Sequence, residues 1–266
     1  MNFFESYGIV AGVILSMMIL LWLLSLVLKN ASIVDIFWGA GFVVTNWVYF
    51  FLTPEGYPVR KLLISLLVTI WGLRLSMHIL KRNWGKEEDY RYQSWRAQAR
   101  NHWWWRSLFK VFILQGILMW IISAPLLAAQ YSPNPNQLTM VDYLAIVVWV
   151  IGFFFEAVGD WQLVRFRLNP DNKGKLLTSG VWKYTRHPNY FGDAAQWWGF
   201  FFLAISTFGG ILTIFSPVIM TLLLRFVSGV TLLEKDLKTS KPGFEEYINT
   251  TNAFIPWFPK KKAGDK

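Results

Sequence analysis

The sequence predicts an all-α polytopic membrane protein with about seven transmembrane helices. Hydrophobic residues fill 54% of its 266 positions and charged residues only 16%, a balance outside that of soluble globular domains. Mean hydropathy is +0.34. Several runs without Asp, Glu, Lys or Arg are long enough, at about 1.5 Å per helical residue, to cross the roughly 30 Å core of a bilayer.

The first such run, Ser6 to Leu28, follows Glu5 and not a basic segment, and no small-residue cleavage site follows it. It therefore reads as an anchored span and not as a removed signal peptide. The second span runs from about Ile33 to Phe51 with Asp35 near its start, and the third from about Leu62 to Leu80 with Arg74 and His78 in its last turns. Val111 to Val141 is uncharged, and Pro133 and Pro135 predict that its span gives way to an extended polar loop. Tyr143 to Phe155 forms the fifth apolar segment, ahead of Glu156 and Asp160. Ala194 to Leu224, 31 uncharged residues, exceeds one ordinary span, and Gly209-Gly210 offers the break that makes it spans six and seven.

Cytoplasmic loops retain Lys and Arg. The third connection holds Lys81, Arg82, Lys86, Arg91, Arg96, Arg100 and Arg106, and the fifth holds Arg165, Arg167, Lys173, Lys175, Lys183 and Arg186. With the basic tail from Lys235 to Lys266, this pattern puts the N-terminus outside and the C-terminus in the cytoplasm. Arg60 and Lys61 run against it, on a loop that this scheme places outside. Trp103-Trp104-Trp105 fits an interfacial aromatic belt. The expected organisation is one membrane domain over 1–266, with spans one to three and their basic loop in 1–107 and a second half, including the cytoplasmic tail, in 108–266.

Composition also excludes several chemistries. There is no cysteine, so disulfide scaffolds, thiolate nucleophiles and Cys-ligated metals are ruled out, and three histidines leave a His-rich metal site improbable. The net charge of +10 reads chiefly as the inside-positive bias and attraction to anionic membrane lipids, with a phosphate-rich small molecule on the cytoplasmic side left open; no continuous basic face of the kind nucleic acid needs is visible.

Chemistry concentrates between Glu156 and Gln196, where polar residues run directly into apolar spans on both sides; ionisable groups at membrane depth are usually functional. Glu156 and Asp160 are four apart and share a helix face. Asn169-Pro170-Asp171-Asn172-Lys173-Gly174 breaks that helix. Pro188 suits a first helical position, and a helix starting there presents free N–H groups beside Arg186, a setting for a phosphate anion. Asn189, Asp193 and Gln196 then make a polar stripe at i, i+4 and i+7.

Gly180 followed by Arg186-His187-Pro188-Asn189-Tyr190-x-Gly192-Asp193 resembles the signature of the membrane sterol reductases and the related steroid 5-alpha-reductases. The segment from Asp160 to Arg167 and the stretch from Phe244-Glu245-Glu246-Tyr247 to Ile255-Pro256 are similar as well. The resemblance covers roughly the C-terminal half. It implies a seven-helix membrane fold with NADPH in a cytoplasm-facing pocket, in a bacterial protein of the inner membrane. The expected cofactor contacts are Glu156, Asp160, Arg167, Lys175, Tyr184, Arg186, His187, Asn189, Tyr190, Asp193, Gln196, Trp197, Arg225, Glu234 and Tyr247. No G-x-G-x-x-G is present, so a Rossmann site is not the means of binding.

The resemblance also implies an acid at the start of span two, where Asp35 falls, to polarise the enone oxygen of a lipid-like substrate. Trp71 stands at the position of the family's tyrosine in span three, near Arg74, and an indole cannot donate a proton; Tyr90 and Tyr92 are the replacement acids, expected from the loop. Trp38, Trp71 and Arg74 are the expected substrate contacts. The implied activity is reduction of a conjugated carbon–carbon double bond in a steroid, sterol or similar lipid enone. Isoprenylcysteine and phospholipid methyltransferases share the Arg-His-Pro-x-Tyr-x-Gly pattern and a late Glu and Tyr, so Glu234, Glu246 and Tyr247 keep S-adenosylmethionine chemistry as the alternative.

Overall fold

The computed structural model describes residues 1–227 and 229–260. Every regular element among them is helical. The basic end of the tail, residues 261–266, lies outside the described residues. Six helical stretches are long and apolar enough to cross a membrane. They are α1 (Phe3–Leu28), α2 (Ile33–Leu52), α3 (Pro58–Asn83), the run Tyr90–Tyr131 that contains α4 (Tyr90–Ala99), α5 (Trp103–Ser107), α6 (Leu114–Ile122) and α7 (Ala124–Tyr131), then α8 (Met140–Leu168), and the run Gly210–Val227. A seventh long helix, α9 (Pro188–Ile205), has a polar stripe that lowers its hydropathy. The shorter α10 (Phe215–Leu222), α11 (Val230–Ser240) and α12 (Phe244–Thr250) follow.

Two expectations change. The residues around Tyr90 and Tyr92 form a helix and not a loop, because Asp89 caps α4 by accepting from the Arg91 N–H. Arg60 and Lys61 do not sit on an exposed loop. Pro58 opens α3 early, so both fall in its first turn, at 0% and 5% exposure. There Arg60 donates to the carbonyls of Pro135 and Gln137 at 3.3 and 3.0 Å, and Lys61 to that of Thr53. Both cations serve the backbone of nearby turns.

The chain divides into two compact units, Met1–Thr139 with Leu203–Ser216, and Met140–Phe202 with Pro217–Lys266. In the first unit α1 starts at a capping box of Asn2 and Glu5 and buries a single stripe, Ser6, Val10, Ile14, Met18, Leu21 and Ser25. Its other faces carry exposed apolar residues such as Leu20 and Val27, as a lipid-facing helix requires. Tyr7 and Trp120 clasp α1 to α6: each side chain donates to the other's backbone carbonyl, at 2.9 and 3.0 Å, with the rings stacked at 4.6 Å. Asn46, Ser65 and Gln130 form a buried amide–hydroxyl chain. At the crossing of α2 and α3, a Cβ on Gly39 would lie 2.3 Å from the Gly72 carbonyl oxygen, so only glycine permits this close backbone contact.

In the second unit α8 and α9 meet in the same way. A Cβ on Gly152 would fall 2.6 Å from the Gly192 oxygen, and one on Gly192 would fall 2.4 Å from both the Gly152 oxygen and the Glu156 nitrogen. Trp198 on α9 donates to Thr221 on α10 at 3.2 Å.

Gly39→Ala is expected to cost about 1–3 kcal/mol through overpacking and to lower the melting temperature in detergent. Gly8→Ala, whose new methyl meets nothing within 4 Å, is expected to hold or raise it. Equal melting of the two variants would show that the α2–α3 contact yields without cost.

Candidate functional site

The glycine contact of α8 with α9 lets side chains one turn away reach across. Gln196 donates its amide to Glu156 Oε2 at 2.5 Å and to the Gly192 carbonyl at 3.2 Å; Asn189 donates to Asp160 Oδ1 at 3.1 Å. Glu156 and Gln196 are 2% and 0% exposed, and Asp160 and Asp193 are also buried. The amide oxygens of Asn189 and Gln196 are buried and accept no hydrogen bond from the protein. The expected stripe on α9 therefore faces the expected acidic face of α8, and it leaves two acceptors for a ligand's N–H or O–H groups. Trp197, from the same turn as Gln196, is fully buried.

Ahead of α9, Gly180 takes φ +63 and a 3-10 turn, Gly180–Lys183, follows it. Val181 N–H donates to Gln162 and the Trp182 indole to the Gly159 carbonyl, at 3.1 Å each, which seats this turn on α8. Tyr247 donates to the Trp182 carbonyl from α12.

Arg186 is the hub of a second cluster. Its Nε and Nη2 form a two-pronged ion pair with Glu234 of α11 at 2.9 and 3.1 Å, and Nη1 donates to the carbonyls of Ile248 and Thr251. The guanidinium expected to meet a phosphate is thus engaged by the C-terminal segment. His187 Nε2 lies 3.1 Å from Glu234 Oε1, and its ring stacks on Tyr190. Thr185, which the sequence did not single out, donates to the carbonyls of Ala253 and Phe254. Arg225 lies over the Phe254 ring at 6.0 Å. Tyr184 is partly exposed and accepts from the Trp257 N–H. Arg167 and Lys175 are exposed, at the end of α8 and in the turn after it.

Burial opposes the charge on Glu234, but hydrogen bonds from His187 and Arg186 hold its carboxyl down at about 2. Burial pushes His187 below its usual range, against the pull of Glu234. Tyr247 is raised by burial.

In the first unit Asp35 lies in the first turn of α2. Tyr92 donates to its Oδ1 at 2.7 Å and Arg91 Nη2 to its Oδ2 at 3.1 Å. Asp89 takes the other edge of Arg91 at 2.9 Å, and Gln115 donates to the Tyr92 hydroxyl at 3.3 Å. Tyr92 is 3% exposed, whereas Tyr90 is 57% exposed, so of the two tyrosines only Tyr92 is brought to Asp35. Glu88 anchors the segment by accepting from Arg96 and from the Ala31 N–H. Trp38, Phe42 and Trp71 form a ring chain with centroids 5.4 and 5.8 Å apart. Arg74 is half-buried on the helix that carries Trp71. Sequence reasoning missed Arg91, Asp89 and Gln115. Their only signal is that the first two flank Tyr90 and that Gln115 is the first polar residue of an uncharged run.

The chain is similar to known proteins. A family described as a protein of unknown function (DUF1295) matches residues 21–251. The Delta(14)-sterol reductase erg24 of Schizosaccharomyces pombe is 36% identical over 98 residues, 31% of this chain and 23% of the relative. The Delta(14)-sterol reductase TM7SF2 of Mus musculus is 33% identical over 101 residues, 32% of this chain and 24% of the relative. The matched stretch thus spans about a quarter of these relatives. No solved structure matches the chain.

Lowering pH is expected to weaken the Arg186 cluster in two steps. His187 has a depressed folded value, so stability is full above its ordinary value of 6.5 and falls as pH drops below it. Glu234 is also depressed, so its contribution is present above 4.5 and is lost as pH falls toward about 2. Glu234→Gln leaves Arg186 buried without its counter-ion. It should cost about 3–5 kcal/mol and remove the lower step from the melting temperature against pH. An unchanged profile would place the acid sensitivity elsewhere.

Proposed function

Because the chain belongs to the DUF1295 family and shares part of its length with membrane sterol reductases, we propose that it is an NADPH-dependent reductase of a conjugated carbon–carbon double bond in a sterol, steroid or similar lipid enone. The observation that carries this reading is the α8–α9 face, where the Asn189 and Gln196 amides keep their buried oxygens unpaired while donating to Asp160 and Glu156. Two acceptor oxygens beside two carboxylates suit a carboxamide NH₂ and ribose hydroxyls. Lys175 and Arg167 are the cations that would meet its phosphates. NADPH, when bound, supplies the hydride.

For the substrate, the pairing of Asp35 with Tyr92 supports a division of labour. Asp35, held by Arg91, accepts the Tyr92 hydroxyl hydrogen bond and so orients that group. When a substrate carbonyl replaces Asp35 as the acceptor, the single O–H of Tyr92 donates to it and stabilises the enolate that develops there. Trp38, Trp71 and Arg74 fit a flat apolar substrate.

One observation favours a methyltransferase that uses S-adenosylmethionine: Arg186, counted among the phosphate-binding cations, is engaged by Glu234 and the C-terminal carbonyls. Mass spectrometry of the small molecule released from purified protein separates the readings, with NADPH expected. Recovery of S-adenosylmethionine alone would overturn the reductase.

Two outcomes are expected on titration with NADPH and an active lipid enone. Asn189→Ala should weaken NADPH binding about 10- to 150-fold, the loss of a hydrogen bond worth about 1.5–3 kcal/mol, and should lower the melting temperature without unfolding the protein, because Asp160 loses a partner. Tyr92→Phe should leave NADPH affinity unchanged and lower turnover by about 10²-fold or more. If Tyr92→Phe turns over normally, the acid passes to Asp35.

A further inference from the structure

From Tyr90 to Val141 the chain has no Asp or Glu, and its cations are Arg91, Arg96, Arg100, Arg106 and Lys110. Arg91 is paired with Asp35 and Asp89, and Arg96 with Glu88. Among the described residues no carboxylate pairs with Arg100, Arg106 or Lys110. These three remain as unneutralised charge on a segment whose neighbours are tryptophans.

The surface there has two shallow, open grooves that share Arg106. Arg100 and Arg106 line the first, of about 520 Å³, together with the polar groups of Gln98, Asn101 and His102. Arg106 also lines the second, of about 460 Å³, with Trp105, Phe109 and Lys110. Arg106 thus stands where a cationic wall becomes an aromatic one. Its guanidinium lies 5.6 Å from the Trp105 ring centroid, and the Lys110 ammonium lies 4.3 Å from that of Trp95. Cation–π contact holds such charges in place without cancelling them. Arg100 adopts φ +49 at the end of α4, a conformation that costs a non-glycine residue about 1–3 kcal/mol.

We propose that the paired grooves hold an anionic phospholipid of the surrounding membrane, with its phosphate on Arg100 and Arg106 and its glycerol shoulder and upper acyl carbons along Trp105 and Phe109. Free phosphate would satisfy only the first groove and would leave the aromatic one without purpose. A zwitterionic lipid would bring a choline cation against three cations. This site is separate in its residues from those assigned to cofactor and substrate.

Native mass spectrometry of protein released from nanodiscs of mixed phosphatidylglycerol and phosphatidylcholine tests it. Wild-type protein is expected to retain phosphatidylglycerol in preference. At about fivefold per surface cation, Arg100→Gln with Arg106→Gln should lower that preference about 30-fold. Lys81→Gln with Lys86→Gln removes the same charge from exposed positions outside the grooves and should leave the preference unchanged. Arg106→Gln alone, expected to give about a fivefold loss, reads both grooves if the double variant does not purify. Equal retention of the two lipids by wild-type protein, equal loss in both double variants, or displacement of phosphatidylglycerol by inorganic phosphate would each overturn the proposal.

Discussion

How closely α8 approaches α9 governs which polar groups the second unit can hold. A carboxylate in an apolar helix packing is tolerated only when hydrogen bonds replace its lost water. Glu156 and Asp160 receive hydrogen bonds from Gln196 and Asn189 across the contact. Gly152 and Gly192 remove the Cβ atoms that would keep the backbones apart. A glycine inside a helix forgoes about 1 kcal/mol of intrinsic preference. Here that loss is set against two side-chain hydrogen bonds across the contact.

The two clusters use charge differently. Around Arg91, a cation held between Asp35 and Asp89 leaves Asp35 with an oxygen for Tyr92, so the ion pair serves to aim a hydroxyl. Around Arg186, the cation is engaged by a carboxylate and two carbonyls, and the result is a fastening. The same residue type thus orients a hydroxyl in one place and binds chain segments together in the other; partners and not residue identity decide which.

Much of the architecture was legible because membrane spans announce themselves by missing charge. The runs at Ser6, Ile33 and Leu62 lie within α1, α2 and α3, and the breaks expected at Pro133 and Gly209 fall outside long helices. Asn189, Asp193 and Gln196 could be placed on one helix face because a 3.6-residue period relates neighbours within a helix. The helix at Tyr90 was not legible: its sequence is charged and aromatic without a period, and its cap is a single Asp89. Arg60 and Lys61 misled for a related reason. Counting charges assumes that a cation in a short connection meets water, whereas here α3 begins at Pro58 and draws both inward. The Arg186–Glu234 pair, separated by a long stretch of chain, has no periodic signature at all.

The fastening of Arg186 has a consequence for how the protein is made. Arg186 and Thr185 leave the ribosome well before Glu234, Ile248, Thr251 and Phe254, yet those later residues supply their partners. Until they emerge, the guanidinium and hydroxyl just ahead of α9 lack these counterparts, and water must solvate them. The turn ahead of α9 therefore stays hydrated during synthesis while the apolar body of the helix is already delivered to the lipid. Insertion and completion of the cluster are in this way separate events in time, the first driven by hydrophobic length and the second by the arrival of the C-terminal segment.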